Sequence, residues 1–147
     1  MTFRPLTFVV AIMTFACTTP DTGKPIVGTW KLITGTITEN GRSTVTDYTR
    51  GKSFIKIINN THFAFALHDL AGDEDTTKAF ASGAGRYTLN GDRYTEHLEY
   101  CTDRQWEGQD FTFTITISND TLIQRGVEKI ESQGIDRLNE EKYVRVR

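Results

Sequence analysis

The sequence predicts an all-β domain of about eight short antiparallel strands, the pattern of a barrel or a sandwich. Three observations carry this expectation. Segments rich in β-branched and aromatic residues recur along the chain. Turn-forming pairs such as Asn59-Asn60, Asn90-Gly91 and Asn119-Asp120 separate them. Inside the segments apolar residues alternate with polar ones, while helical periodicity is weak throughout. With 147 residues the chain is one domain by size, long enough to bury a sizeable core.

The first element precedes the domain. Met1 to Pro5 carries one positive charge, Arg4, and Leu6 to Phe15 is mostly apolar, followed by Ala16 and Cys17. A basic start, a short apolar run and a small residue at the cut describe a secretory signal over 1–16, too short to span a bilayer as a permanent helix. The stretch resembles a bacterial lipoprotein signal, which implies acylation of Cys17 and an anchor that does not cross the membrane. Thr14 and Ala16 also fit ordinary secretion. Both readings place the domain outside the cytoplasm, in a bacterial cell envelope. Residues 17–26, polar with two prolines and a glycine, read as the lipid-attachment cysteine and a flexible tether.

The strands follow in order over 27–147. Thr29–Thr38 is rich in β-branched residues and ends at the turn Glu39-Asn40-Gly41. Ser53–Ile58 is broken by Asn59-Asn60 and followed by Thr61–His68. Leu70–Lys78 is an acidic loop. Gly85–Leu89 and Arg93–Tyr100 flank Asn90-Gly91, a strong hairpin signal because both positions tolerate positive φ. Phe111–Ser118 alternates apolar residues with threonine, and Asn119-Asp120 turns it into Thr121–Gly126. Val127–Asn139 is polar with a short helical turn, and Glu141–Arg147 is a last strand.

Period-two alternation assigns faces. Phe111, Phe113, Ile115 and Ile117 share one, Phe63, Phe65 and Leu67 another, and Tyr94, Glu96, Leu98 and Tyr100 a third. These faces line a common interior. Gly83-Ala84-Gly85 precedes a strand and reads as a bulge or a close backbone approach.

Gly28-Thr29-Trp30 at the start of the first strand and Tyr143-Val144-Arg145 at the end of the chain resemble the lipocalin, or calycin, arrangement. So do Lys56-Ile57-Ile58, His62-Phe63-Ala64-Phe65, Gly83 to Leu89, Tyr94 to Tyr100 and Gly126-Val127-Glu128, which are similar to the small lipocalin-like domains of bacterial exported proteins. The resemblance covers about residues 27–147 and implies a single antiparallel up-and-down β-barrel of about eight strands with an internal cavity. It implies that Trp30 closes one end of the barrel beneath a basic residue, Arg145 or, failing that, Arg147. It names no ligand.

Glu96 is the most suggestive site residue, because an inward carboxylate needs a partner or a raised pKa. It would anchor a ligand, or it would form an internal hydrogen bond or ion pair with Arg125 or a tyrosine hydroxyl. Phe63, Phe65, Tyr87, Tyr94, Tyr100 and Phe113 would line a cavity with Glu96, or form a solid core. Trp106, in the loop after Tyr100, would cap the barrel mouth, meet a partner or pack on the barrel. Cys101 reads as unpaired and largely buried, a pairing with Cys17 being open only if Cys17 is not acylated.

Metal, cofactor and nucleic acid find no support. His62 and His68 lie about 20 Å apart on one strand, too far to share an ion, and His97 and Glu99, about 7 Å apart, lack further ligands. Asp69, Asp73, Glu74 and Asp75 lack the alternation of a calcium loop. The net charge of −2 becomes −3 once Arg4 is removed, and there is no basic stripe. No serine elbow, phosphate loop or dinucleotide fingerprint occurs. The expectation is a non-enzymatic module for a small apolar or amphipathic molecule. The alternative is a structural or interaction protein with a filled barrel and a protein partner. An enzyme using Glu96 and a tyrosine as an acid–base pair is the least supported reading.

Overall fold

A computed structural model of the protein describes residues 25–70 and 80–147. The leader, Cys17, most of the tether and residues 71–79 of the acidic loop lie outside the described residues. Nine strands form one sheet: β1 Gly28–Glu39, β2 Arg42–Asp47, β3 Lys52–Ile58, β4 His62–Asp69, β5 Phe80–Asn90, β6 Arg93–Cys101, β7 Gln109–Ser118, β8 Thr121–Ile130 and β9 Ile135–Arg145. Eight of them close into an antiparallel barrel in the order β1-β3-β4-β5-β6-β7-β8-β9, with β9 returning to pair β1. Closure leaves β2, outside the barrel order, as the edge strand of the sheet.

β2 is the extra strand. It folds back on β1 through Asn40 and Gly41, both at positive φ, the geometry of a tight hairpin. Its residues are largely exposed and polar, which is why Arg42–Asp47 carries no alternation to read. One edge of β1 is therefore divided. Residues 28–31 pair β3 and residues 34–39 pair β2. β5 starts at Phe80, well before the expected Gly85, and β8 and β9 extend through most of the polar stretch 127–139, leaving only a 3₁₀ turn at Glu131–Gln133.

Two irregularities decide which side chains face inward. On β6, Leu98 opposes Gly85 and Tyr100 opposes Ala84, so Glu99 is an extra residue without a partner on β5. The inside-outside alternation inverts there. Tyr100, expected among the interior residues, is instead 66% exposed, and Cys101 turns toward the interior. On β1, Leu32 opposes Tyr143 and Thr34 opposes Lys142, so Ile33 is the extra residue and Gly35 and Ile37 face in. Gly85 permits the β6 bulge, since a Cβ there would fall on the His97 carbonyl.

The start of β1, the turns β3–β4, β5–β6 and β7–β8, and the end of β9 gather at one end of the barrel. Trp30 is fully buried there and its indole N–H donates to the Ile26 carbonyl at 2.8 Å. The Arg145 guanidinium lies 4.1 Å from the indole centroid. It donates to the carbonyls of Val27 at 2.8 Å and Pro25 at 2.6 Å. Arg147 pairs with Asp120 on the surface. Pro25 and the fully buried Ile26 thus belong to the domain and not to the tether, because the closing contact needs their backbone. Leu32, Ile58, Phe63, Tyr94, Leu122 and Tyr143 fill this end.

Two outcomes test the closure. Arg145→Ala removes a cation–π contact and two charge-assisted hydrogen bonds at a half-buried site and is expected to lower unfolding free energy by about 2 kcal/mol, read as a shifted urea midpoint at unchanged slope. Gly85→Ala is expected to lower it by about 3 kcal/mol or more, because the clash is with backbone that cannot rotate away.

Candidate functional site

The packed end does not extend through the barrel. Toward the other end lies a cavity of about 380 Å³. Its walls include Tyr48, Phe54, Phe65, Leu98, Phe111 and Phe113, and Trp106 stands at its rim. Phe54 stacks on Phe65 at 5.5 Å between centroids, and Trp106 meets Phe111 at 5.5 Å. The Arg137 guanidinium lies 5.0 Å from the Trp106 centroid, fixing the loop residue onto the barrel. Cys101 is half-buried on the same wall.

The floor of the cavity is charged. Lys56 points inward on β3 between Phe54 and Ile58 and is only 2% exposed. Its ammonium donates to Glu96 Oε1 at 2.7 Å and to Gln124 Oε1 at 3.1 Å, and lies 3.9 Å from Glu141 Oε2. It also lies 5.3 Å from the Tyr143 ring centroid and 5.9 Å from that of Phe63. The Tyr143 hydroxyl donates to Glu141 Oε2 at 2.7 Å. Higher on the wall, Glu128 accepts from Asn139 Nδ2 and from Arg137 Nε, each at 2.7 Å. These residues reach one space because β3, β6, β8 and β9 each turn an alternate polar residue inward.

Burial alone would strip the proton from Lys56, yet the carboxylates of Glu96 and Glu141 outweigh it and hold the ammonium charged, above the ordinary lysine value. Burial pushes Glu96 the other way from an isolated ionised acid, raising its pKa, and Lys56 offsets this only in part. Lys56 keeps its charge, and a further proton is bound more readily here than in water. Burial likewise raises the phenols of Tyr94 and Tyr143, which stay neutral. The Tyr94 hydroxyl feels the Glu96 charge but is the one buried side-chain polar atom among the described residues without a well-formed hydrogen bond.

Of the residues expected to line a cavity, Phe65, Glu96 and Phe113 do so. Phe63, Tyr87 and Tyr94 are buried in the packed end, where Tyr87 and Tyr94 meet at 5.3 Å. Tyr100 is outside. The barrel is therefore filled at the Trp30 end and hollow at the other. Glu96 does have an internal ion-pair partner, but it is Lys56; Arg125 faces outward and pairs with Glu140 at 3.2 Å. Sequence reasoning missed Lys56, Gln124, Glu128, Arg137, Asn139 and Glu141. The signal for Lys56, Gln124 and Glu141 was present, since each alternates with apolar neighbours: Phe54 and Ile58, Leu122, and Tyr143. His97 binds Asp110 at 2.7 Å and Glu99 binds Arg86 at 2.6 Å, so that pair forms no joint site. Among the described residues no group of three or more His, Cys, Asp and Glu side chains is placed to hold a metal ion.

No family model matches the chain. No curated protein matches it by sequence. Among solved structures it is similar to an uncharacterised protein from Bacteroides eggerthii DSM 20697, at 11% identity and a TM-score of 0.46, over 82% of this chain and 98% of that one.

Lys56→Met strands two carboxylates in the interior and is expected to destabilise the fold by about 3–5 kcal/mol at neutral pH. The loss shrinks in acid. A carboxylate whose folded pKa is raised contributes stability below its unfolded pKa and loses it as pH rises through the folded value, so protonated Glu96 relieves the variant. Denaturation midpoints of both proteins across the acid range would show the difference narrowing as pH falls.

Proposed function

We propose that the protein is an exported, lipocalin-like binding module that holds a small amphipathic molecule in the open half of its barrel, and that it performs no chemistry on it. The cavity carries this reading. Its volume of about 380 Å³ falls within the range of small-molecule sites. Its aromatic walls suit an apolar body, and its floor supplies a few placed polar groups that would fix orientation. The likeness of the leader to a lipoprotein signal supports a further part of the proposal, attachment to an envelope membrane through acyl chains on Cys17.

Native mass spectrometry of the protein extracted gently from envelopes tests the binding. The expected result is an excess mass that disappears on denaturation. Ala81→Trp, which puts a large ring into the cavity wall, is expected to abolish that excess while leaving the protein folded. A bare mass for the unsubstituted protein, persisting after exposure to a lipid and metabolite extract, would overturn the reading and favour a partner-binding scaffold. Cys17→Ser is expected to move the protein from the membrane fraction to the soluble envelope fraction.

A further inference from the structure

Resting on the binding reading above, we propose that the cavity selects an organic amine, an ammonium head carried on an apolar body. Charge balance in the cavity favours such a guest. Five charged side chains meet inside the barrel, the cations Lys56 and Arg137 and the carboxylates Glu96, Glu128 and Glu141, while a further lining carboxylate, Asp103, is exposed to solvent. Arg137 and Asn139 together occupy both oxygens of Glu128. That wall is complete. Lys56 is left to serve both Glu96 and Glu141, directly at 2.7 Å and at 3.9 Å. The floor is short of one positive charge.

An unmatched carboxylate in a space walled by aromatic rings is costly, so a proton or a bound cation completes the set. Without ligand, a proton is the counter-charge at hand. The groups that face Glu96 are Lys56 from β3, Tyr94 on its own strand, Gln124 from β8, and Glu141 and Tyr143 from β9. Burial, and to a smaller extent the Glu141 charge, raise the Glu96 pKa against the opposing pull of Lys56. An ammonium head does the same work with three N–H donors to share among carboxylate oxygens. It also suits the aromatic walls of Phe54, Phe65, Phe111 and Phe113, whose ring faces attract cations.

The Tyr94 hydroxyl points the same way. It is fully buried next to Glu96 and lacks a well-formed hydrogen bond. Glu96 is the acceptor it faces, and an ionised Glu96, held by a cation on its other side, would accept from it more strongly. A fatty carboxylate fits badly by contrast. It would add a further anion, and the Lys56 ammonium is already engaged.

Calorimetric titration of the full chain carrying Cys17→Ser, with n-octylammonium, octanol and octanoate as probes, separates the possibilities. Octylammonium is expected to bind about tenfold more tightly than octanol, and octanoate more weakly than either, since charge-assisted hydrogen bonds form only with the first. Repeating the titration in buffers of different ionisation enthalpy across the acid range is expected to show proton release on amine binding that grows as pH drops, with affinity falling, because acid protonates the group the amine must pair with. Glu141→Gln keeps the acceptor for Tyr143 but leaves Lys56 and Glu96 balanced. It is expected to erase both the preference and the proton release, whereas Glu141→Asp keeps them. If octanol or octanoate binds as well as the amine, the charge argument falls and the cavity reading stands. If none of the three binds, both fall.

Discussion

Closure of the sheet between β9 and β1 is the constraint on which the rest of the structure depends. Pairing of Trp30 with Arg145 and of Leu32 with Tyr143 joins the two ends of the eight-strand order and sets the bore of the barrel. A barrel of this strand number is just wide enough to be filled by side chains or to hold one small ligand. Here it does both. The bulky rings Trp30, Phe63, Tyr94 and Tyr143 fill one half, and the guanidinium of Arg145 seals it. The other half has Gly35, Ala81, Cys101 and Thr46 among its inward residues, too small to meet across the bore, and the cavity is what remains.

The boundary between the halves is polar. Lys56 opposes Trp30 in the β1–β3 pairing, so the charged floor sits directly on the packed plug. Burying an ion pair at that level does little for stability compared with an apolar replacement of equal volume. Glu128, Asn139 and Arg137 continue the polar face upward to the rim, where Trp106 folds over Arg137. The result is a space with an apolar side and a polar side, which suits an amphipathic guest better than a purely apolar one.

Much of the architecture was legible in the chain. Alternation in Phe111–Ile117 and Phe63–Leu67 assigned their faces correctly, because period two is a property of extended backbone and needs no tertiary information. Asn90-Gly91 and Asn119-Asp120 announced hairpins for the same local reason. β2 escaped because an exposed polar hairpin strand has no buried face to betray it. Tyr100 was placed inside because alternation was carried straight through Glu99; the bulge that inverts it arises from how β5 and β6 fit together around Gly85, which no property of Tyr94–Tyr100 alone contains.

The sequence by itself therefore determined most of the strands and most of their faces, since these follow from local backbone chemistry, while the closure of Trp30 by a basic residue was what the family resemblance implied. Only the tertiary structure decided which inward residues fill the barrel and which line a space, because that depends on how side chains from opposite walls meet across the bore. It also decided the partner of Glu96. Lys56 is forty residues from Glu96 and Gln124 sixty-eight from Lys56. Such a cluster exists only once a closed barrel brings the inward positions of β3, β6, β8 and β9 together.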